Sequence, residues 1–190
     1  MNTKHRIIAG SSSLVLLLVF GLWLTSEKTE VDVLIDDLSS TDSETRYKAA
    51  KRLSELGPQA APAADALSEV LVSDPESRVR YRAAKAISKV GISASGVTTA
   101  LANALSDTDE EIRYYAVKSL SQFGPEARDA VPQLAEALQD DNPKVRYYAA
   151  KALKNIDKDA APAVPALKLA LNDPDEGVRN AVARALDEIQ

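Results

Sequence analysis

Past residue 30 the apolar positions of this chain fall into two alternating phrases. The first is a pair of leucines four residues apart: Leu34 and Leu38, Leu67 and Leu71, Leu101 and Leu105, Leu134 and Leu138, Leu167 and Leu171. The second is a nine-residue phrase that reads VRYRAAKAI at 79–87, IRYYAVKSL at 112–120 and VRYYAAKAL at 145–153. Weaker copies are TRYKAAKRL at 45–53 and VRNAVARAL at 178–186. The arginines stand at 46, 80, 113, 146 and 179, so the spacings are 34, 33, 33 and 33 residues, with the one extra residue between Val72 and Arg78. Apolar residues three and four apart trace one face of a helix. Each unit therefore predicts two helices, here called A and B. Helix A carries the leucine pair and opens on Pro or Asp, as in APAADALSEVL (61–71) and DAVPQLAEAL (129–138), residues suited to a first turn. A short turn such as SDPES or QDDNP follows, and helix B runs to Gly57, Gly91, Gly124 or Asp157. Glycine just past a helix supplies a left-handed cap. A unit this small cannot bury its apolar face alone, and repetition at this period marks a solenoid.

With the repeat arginine taken as position 0 and about 100° of turn per residue, helix B divides into faces. Positions −1, +3, +4, +7 and +10 hold Val79, Ala83, Ala84, Ile87 and Val90 in the second unit, and these form the core stripe. The arginine lies at its edge. At −6 stand Asp74, Asp107, Asp140 and Asp173, while the first unit has Ser40. Together with Arg80, Arg113, Arg146 and Arg179 these aspartates form a structural ladder, in which the Asp caps helix B or accepts from the arginine of its own or the next unit. Positions +1 and +5 lie farthest from the core stripe and one turn apart, so their side chains touch. They hold Tyr47 and Lys51, Tyr81 and Lys85, Tyr114 and Lys118, Tyr147 and Lys151, then Asn180 and Arg184. A row of tyrosines with lysines gives rigid contact area and complementarity to an acidic protein or peptide.

Before the repeats, Lys4 and Arg6 precede an apolar run from Ile7 to Leu24, whose dense part is LVLLLVFGLWL at 14–24. Eighteen helical residues rise about 27 Å, close to the thickness of a hydrocarbon core. A cleaved signal peptide needs small residues at its processing site, and Trp23, Leu24 and Thr25 supply none at the required spacing. The preferred reading is an uncleaved single-pass anchor over 7–24. It follows a short cytoplasmic start at 1–6 and leads through a linker at 25–30 to a repeat domain at 31–190. Its units are approximately 31–60, 61–94, 95–127, 128–160 and 161–190. With the cations ahead of the span, the repeats lie outside the cytoplasm, in a cell (inner) membrane protein facing the periplasm. If the segment is cleaved, the product is a soluble secreted or periplasmic domain.

Composition narrows the function. The chain has 190 residues, no cysteine and one histidine, His5, which removes thiol and imidazole chemistry and leaves no catalytic constellation. The first 26 residues hold two cations and no acid, so 21 cations face 28 acids from residue 27 on, a net charge of −7. That balance argues against nucleic acid as a partner. The acidic turns fit no EF-hand spacing, and carboxylates in a first helical turn need no metal to explain them. No cofactor, metal or small-molecule substrate is expected.

These units resemble HEAT repeats, specifically the short HEAT-like type also seen in phycobilisome lyases. The shared pattern is A-x-x-A-L-x-x-x-L-x-D-x-x-x-x-V-R-x-x-A-x-x-A-L-x-x-x-G, and it covers residues 31 to 190. The resemblance implies an all-α, right-handed α-solenoid of five helix pairs whose B helices line the concave surface, so that the Tyr–Lys rows would run along a groove. It further implies an interaction scaffold in most members and lyase chemistry in a minority. The leading expectation is a non-enzymatic, membrane-anchored scaffold. The alternatives are a lyase- or chaperone-type accessory protein and a self-stacking structural protein.

Overall fold

The computed structural model describes residues 28–91 and 95–189. The expected anchor over 7–24 lies outside them, and none of the described helices is long and apolar enough to cross a membrane. The described chain is helical from end to end. Its A helices are α1 (Glu30–Leu38), α3 (Ala64–Ser73), α5 (Ser95–Ala104), α7 (Val131–Ala137) and α9 (Val164–Ala170). The B helices that follow them are α2 (Ser43–Leu56), α4 (Ser77–Val90), α6 (Glu110–Phe123), α8 (Pro143–Ile156) and α10 (Glu176–Ile189). Each A helix packs on its own B helix, and each B helix on the next, so the chain forms two layers of five helices. The core lies between the layers. The leading leucines of the second to fifth A helices, Leu67, Leu101, Leu134 and Leu167, are fully buried. The facing pairs Ala49–Ala50, Ala83–Ala84 and Ala149–Ala150 are buried as well, which lets neighbouring B helices approach closely. Burying one leucine contributes about 1.5–3 kcal/mol, so the repeated leucine supplies much of each unit's adhesion.

Two local features differ from the expected helix ends. The residues between helix B and the next helix A form 3-10 segments at Gly57–Ala63, Gly124–Ala130 and Asp157–Ala163, so helix A starts at Ala64 and Val131, two to three residues later than the phrases at 61–71 and 129–138 predict. Pro62 and Pro162 sit inside two of these segments, where the missing N–H favours the tighter winding over a full α-turn. The expected left-handed cap occurs at Gly91, with φ 72° and ψ 25°. Gly57 and Gly124 share its positive φ but have ψ of −129° and −133°, a region nearly closed to other residues. Asp157 occupies the same conformation at φ 65° and ψ −139° without glycine's freedom, at a cost of about 1–3 kcal/mol.

Between the repeats runs the Arg–Asp ladder. Arg80 donates from Nε and Nη2 to the two carboxylate oxygens of Asp107 at 2.8 and 3.1 Å. Arg113 holds Asp140 in the same way at 2.6 and 3.2 Å, and Arg146 holds Asp173 at 2.6 and 2.8 Å. Arg46 opens the ladder by gripping Asp74 at 2.6 and 3.1 Å, a rung that the sequence reading left out. In every rung the carboxylate belongs to the following repeat. The arginine's own repeat contributes backbone carbonyls instead: Nη1 of Arg80 reaches the oxygens of Asp74 and Pro75 at 3.0 and 3.3 Å. Each Asp also accepts from the amide two residues on, as Asp107 does from Asp109 at 2.9 Å, so it shapes the turn while residue −4 takes the cap. Asp42, Asp109 and Asn142 fill that cap position with a side-chain oxygen. Burial pushes the Asp74 and Asp107 carboxyls up, but the guanidinium and amide donors outweigh it and hold both below the ordinary 3.8. The Arg146 hydrogen bond does the same for Asp173. Arg179 keeps its carbonyl contacts to Asp173 and Pro174 at 2.7 and 3.0 Å, but no carboxylate meets its fork among the described residues.

The rung geometry separates two couplings. Asp107→Ala is expected to destabilise the chain by about 1–3 kcal/mol, because it leaves a part-buried guanidinium without its partner. In double-mutant cycles followed by denaturant unfolding, Asp107→Ala should couple strongly to Arg80→Ala. It should couple weakly to Arg113→Ala, whose contact within the repeat is to the Asp107 backbone. Equal coupling to both arginines would contradict the inter-repeat rung.

Candidate binding surface

The solvent side of the B-helix layer carries every one of the six tyrosines. Five of them join into one ribbon by edge-to-face contacts. Tyr81 meets Tyr115 at a centroid distance of 5.6 Å, Tyr115 meets Tyr114 at 5.2 Å, Tyr114 meets Tyr148 at 5.7 Å and Tyr148 meets Tyr147 at 5.3 Å. Toward the first repeat the ribbon continues through Arg82, whose guanidinium lies 4.9 Å from the Tyr47 ring and 5.4 Å from the Tyr81 ring. One Arg82 nitrogen also donates to the Tyr47 hydroxyl at 2.6 Å. The construction follows from the 33-residue period: the residue at +2 of one repeat reaches the +1 ring of the repeat before it. Successive B helices are therefore stitched by rings on this side and by Arg–Asp rungs at the edge of the core.

The +5 cations lie over these rings. Lys85 Nζ stands 5.7 Å from both the Tyr81 and Tyr115 rings, Lys118 stands 5.7 Å from Tyr114, and Lys151 stands 5.6 Å from Tyr148. Lys51 and Arg184 are exposed and meet no ring among the described residues. Among the described residues, none of these five cations pairs with a carboxylate, although Lys48, Arg52 and Arg78 elsewhere do. These five unpaired cations thus follow one face of an acidic domain, although Lys158 and Lys168 away from it also form no ion pair among the described residues.

The rings are less free than position +1 suggested. Tyr147 is 39% exposed, whereas Tyr47, Tyr81, Tyr114, Tyr115 and Tyr148 are half-buried and packed against the core. Burial raises the Tyr115 and Tyr148 phenols above their ordinary 10.0, aided by the neighbouring Tyr81 and Tyr114 rings respectively. The sequence analysis named the +1 rings as contact residues. The structure makes +2 the hinge of the ribbon, and the signal for it was the shared Tyr at 115 and 148. No group of acids and histidines able to hold a metal occurs among the described residues.

Two layers of paired helices at a fixed period, joined only to their neighbours, define an α-solenoid repeat protein. A profile of HEAT repeats matches residues 15–88 and 98–187, and the chain belongs to that family. No curated protein matches it in sequence. Among solved structures, an engineered protein is 28% identical with a TM-score of 0.69, the match covering 85% of this chain and 80% of that one. The complex of CpcE and CpcF of phycocyanin lyase from Nostoc sp. PCC7120 is 25% identical with a TM-score of 0.67, covering 87% of this chain and 67% of that one. A designed armadillo repeat protein in complex with the peptide (KR)4 reaches a TM-score of 0.72 over 95% of this chain and 87% of its own, but at 18% identity the likeness is one of fold.

Ring contacts set the expected order of sensitivity along the ribbon. Tyr148 makes two edge-to-face contacts, each worth about 0.5–1.5 kcal/mol beyond buried area. Tyr148→Ala should therefore cost about 2 kcal/mol in denaturant unfolding, and Tyr147→Ala less than half as much. A Tyr147→Ala loss equal to that of Tyr148→Ala would show the exposed ring to be a packing residue.

Proposed function

We propose that this chain is a non-enzymatic scaffold that holds an acidic protein or peptide segment along its Tyr–Lys face. The observation that carries the reading is the row of unpaired cations at +5, of which Lys85, Lys118 and Lys151 lie over a continuous ribbon of tyrosines and Lys51 and Arg184 extend the row at its ends, in a domain of opposite net charge. Packing accounts for the half-buried rings, but it does not require a cation over each of them. An acidic segment would meet charge at every repeat and ring edges between, over about 40 Å if successive helices lie 8–10 Å apart. The B helices would then line the concave side of a right-handed superhelix, as the family resemblance implies. This reading needs no catalytic pocket: the work is done by an extended surface. An accessory role of the lyase or chaperone type is the second reading, and it rests on the likeness to phycocyanin lyase. It would use the same face to hold a protein client.

The apolar run from Ile7 to Leu24 places the scaffold at a membrane in this proposal, with the repeats on the extracytoplasmic side. The full-length protein should then remain with membranes through high-salt washing, and a mature chain beginning near Glu27 by mass spectrometry would replace the anchor with a secreted domain. The binding face has its own test. Full-length protein should bind a fluorescein-labelled octaglutamate peptide, with affinity that falls as salt rises, and should not bind octalysine. Combined Lys85→Glu and Lys118→Glu should weaken octaglutamate binding by about tenfold or more without lowering the melting temperature. Indifference to that reversal would remove the face from the function.

A further inference from the structure

The ribbon is built by one rule that the fifth repeat breaks. Tyr47 and Tyr114 are covered by residues −2 and +2 of the repeat that follows, and Tyr81 by the +2 ring of Tyr115. Tyr47 is covered by Arg78 at 5.3 Å and Arg82 at 4.9 Å. Tyr114 is covered by Lys144 at 5.9 Å and by the Tyr148 ring at 5.7 Å. Over Tyr147 the same two positions are Gly177 and Ala181, and the next +1 residue is Asn180 instead of tyrosine. Three side chains are cut back at one place. The result is a cavity of about 310 Å³ between α8 and α10, walled by the most exposed ring of the ribbon. The cations around it have not been cut back. Lys151 and Lys154 from α8 and Arg184 from α10 line it, and no carboxylate does. None of the three forms an ion pair among the described residues.

From this we infer that the cavity is an anchor pocket for an acidic side chain, a glutamate or aspartate of the peptide segment that the Tyr–Lys face holds. The inference rests on that functional reading and deepens it. It gives the extended face a fixed end point and a register. Three cations on two helices line this one cavity, whereas the cations elsewhere along the ribbon lie over ring faces with no cavity between them. Arg184 presents the planar fork that takes both carboxylate oxygens, and the Tyr147 ring offers an apolar wall for the methylene stem. The Asn180 amide adds neutral donors at the site. A pocket of this size admits a side chain and some water, not a folded domain.

The test fills the pocket without changing its charge. Ala181→Tyr restores the ring that repeats three and four carry at this position, so the fold already accommodates it. The full-length chain and this variant are compared for octaglutamate binding by fluorescence anisotropy. The inference expects Ala181→Tyr to lose affinity by about tenfold, equivalent to about 1.4 kcal/mol, with an unchanged melting temperature. Combined Lys154→Ala and Arg184→Ala should do the same, and it decides the matter if Ala181→Tyr melts early. If both variants bind as the wild type does while the Lys85→Glu, Lys118→Glu reversal weakens binding, the peptide lies on the ladder and the pocket is not its anchor. If the wild type does not bind octaglutamate at all, the pocket and the functional reading fail together.

Discussion

Everything in this architecture depends on a carboxylate placed in one repeat to be held by the guanidinium of the repeat before it. The bidentate rung fixes both distance and orientation, because two parallel N–H···O bonds tolerate little rotation. It also ties three backbone elements together at each junction. The arginine's third nitrogen ends on the carbonyls of its own turn, and the aspartate's oxygen closes the amide of the next turn. A slip of one residue in any repeat would break all of these at once. Apolar contacts supply adhesion between layers, but leucine and alanine would pack in several registers. The ladder selects one.

The fold was legible because periodicity repeats its message five times. Two phrases at 33 residues specify two helices per unit, and the alternation of core and surface positions on helix B follows from angle alone. What the letters did not disclose is the direction of the ladder. Arg113 stands six residues after Asp107 and 27 before Asp140. Sequence distance favours the near aspartate, yet helix B points the guanidinium across to the neighbour and leaves only the near backbone within reach. The 3-10 segments were hidden for a related reason: Pro-Ala runs such as GPQAAPA suit a helical first turn as well as they suit a tighter one.

The candidate surface was half legible. Position +1 does lie on the solvent side of the B layer, and the cations at +5 do sit above it. A wheel drawn for one helix cannot show that Tyr115 and Tyr148 reach back to the helix before. That contact turns a row of separate residues into a single ribbon, so the rings brace neighbouring repeats as well as offering a surface. Binding and stability therefore share side chains on this face, and the exposed Tyr147 is where they separate most cleanly.

The far end of the ladder bears on how the array opens. Among the described residues Arg179 has no carboxylate in its fork, and Leu171 is 40% exposed where its counterpart Leu138 is 3% exposed. Among the described residues each inner repeat is clasped from both sides, whereas the first pair, α1 and α2, and the fifth, α9 and α10, are clasped from one. Thermal opening of a stacked array begins where neighbours are fewest. Among the described residues the fifth pair is thus held less tightly than the inner ones, and it is also the one that carries the cavity beside Tyr147. An occupant bridging α8 and α10 there would act as a missing clasp, so that occupancy would be felt as slower amide exchange in the last helix pair.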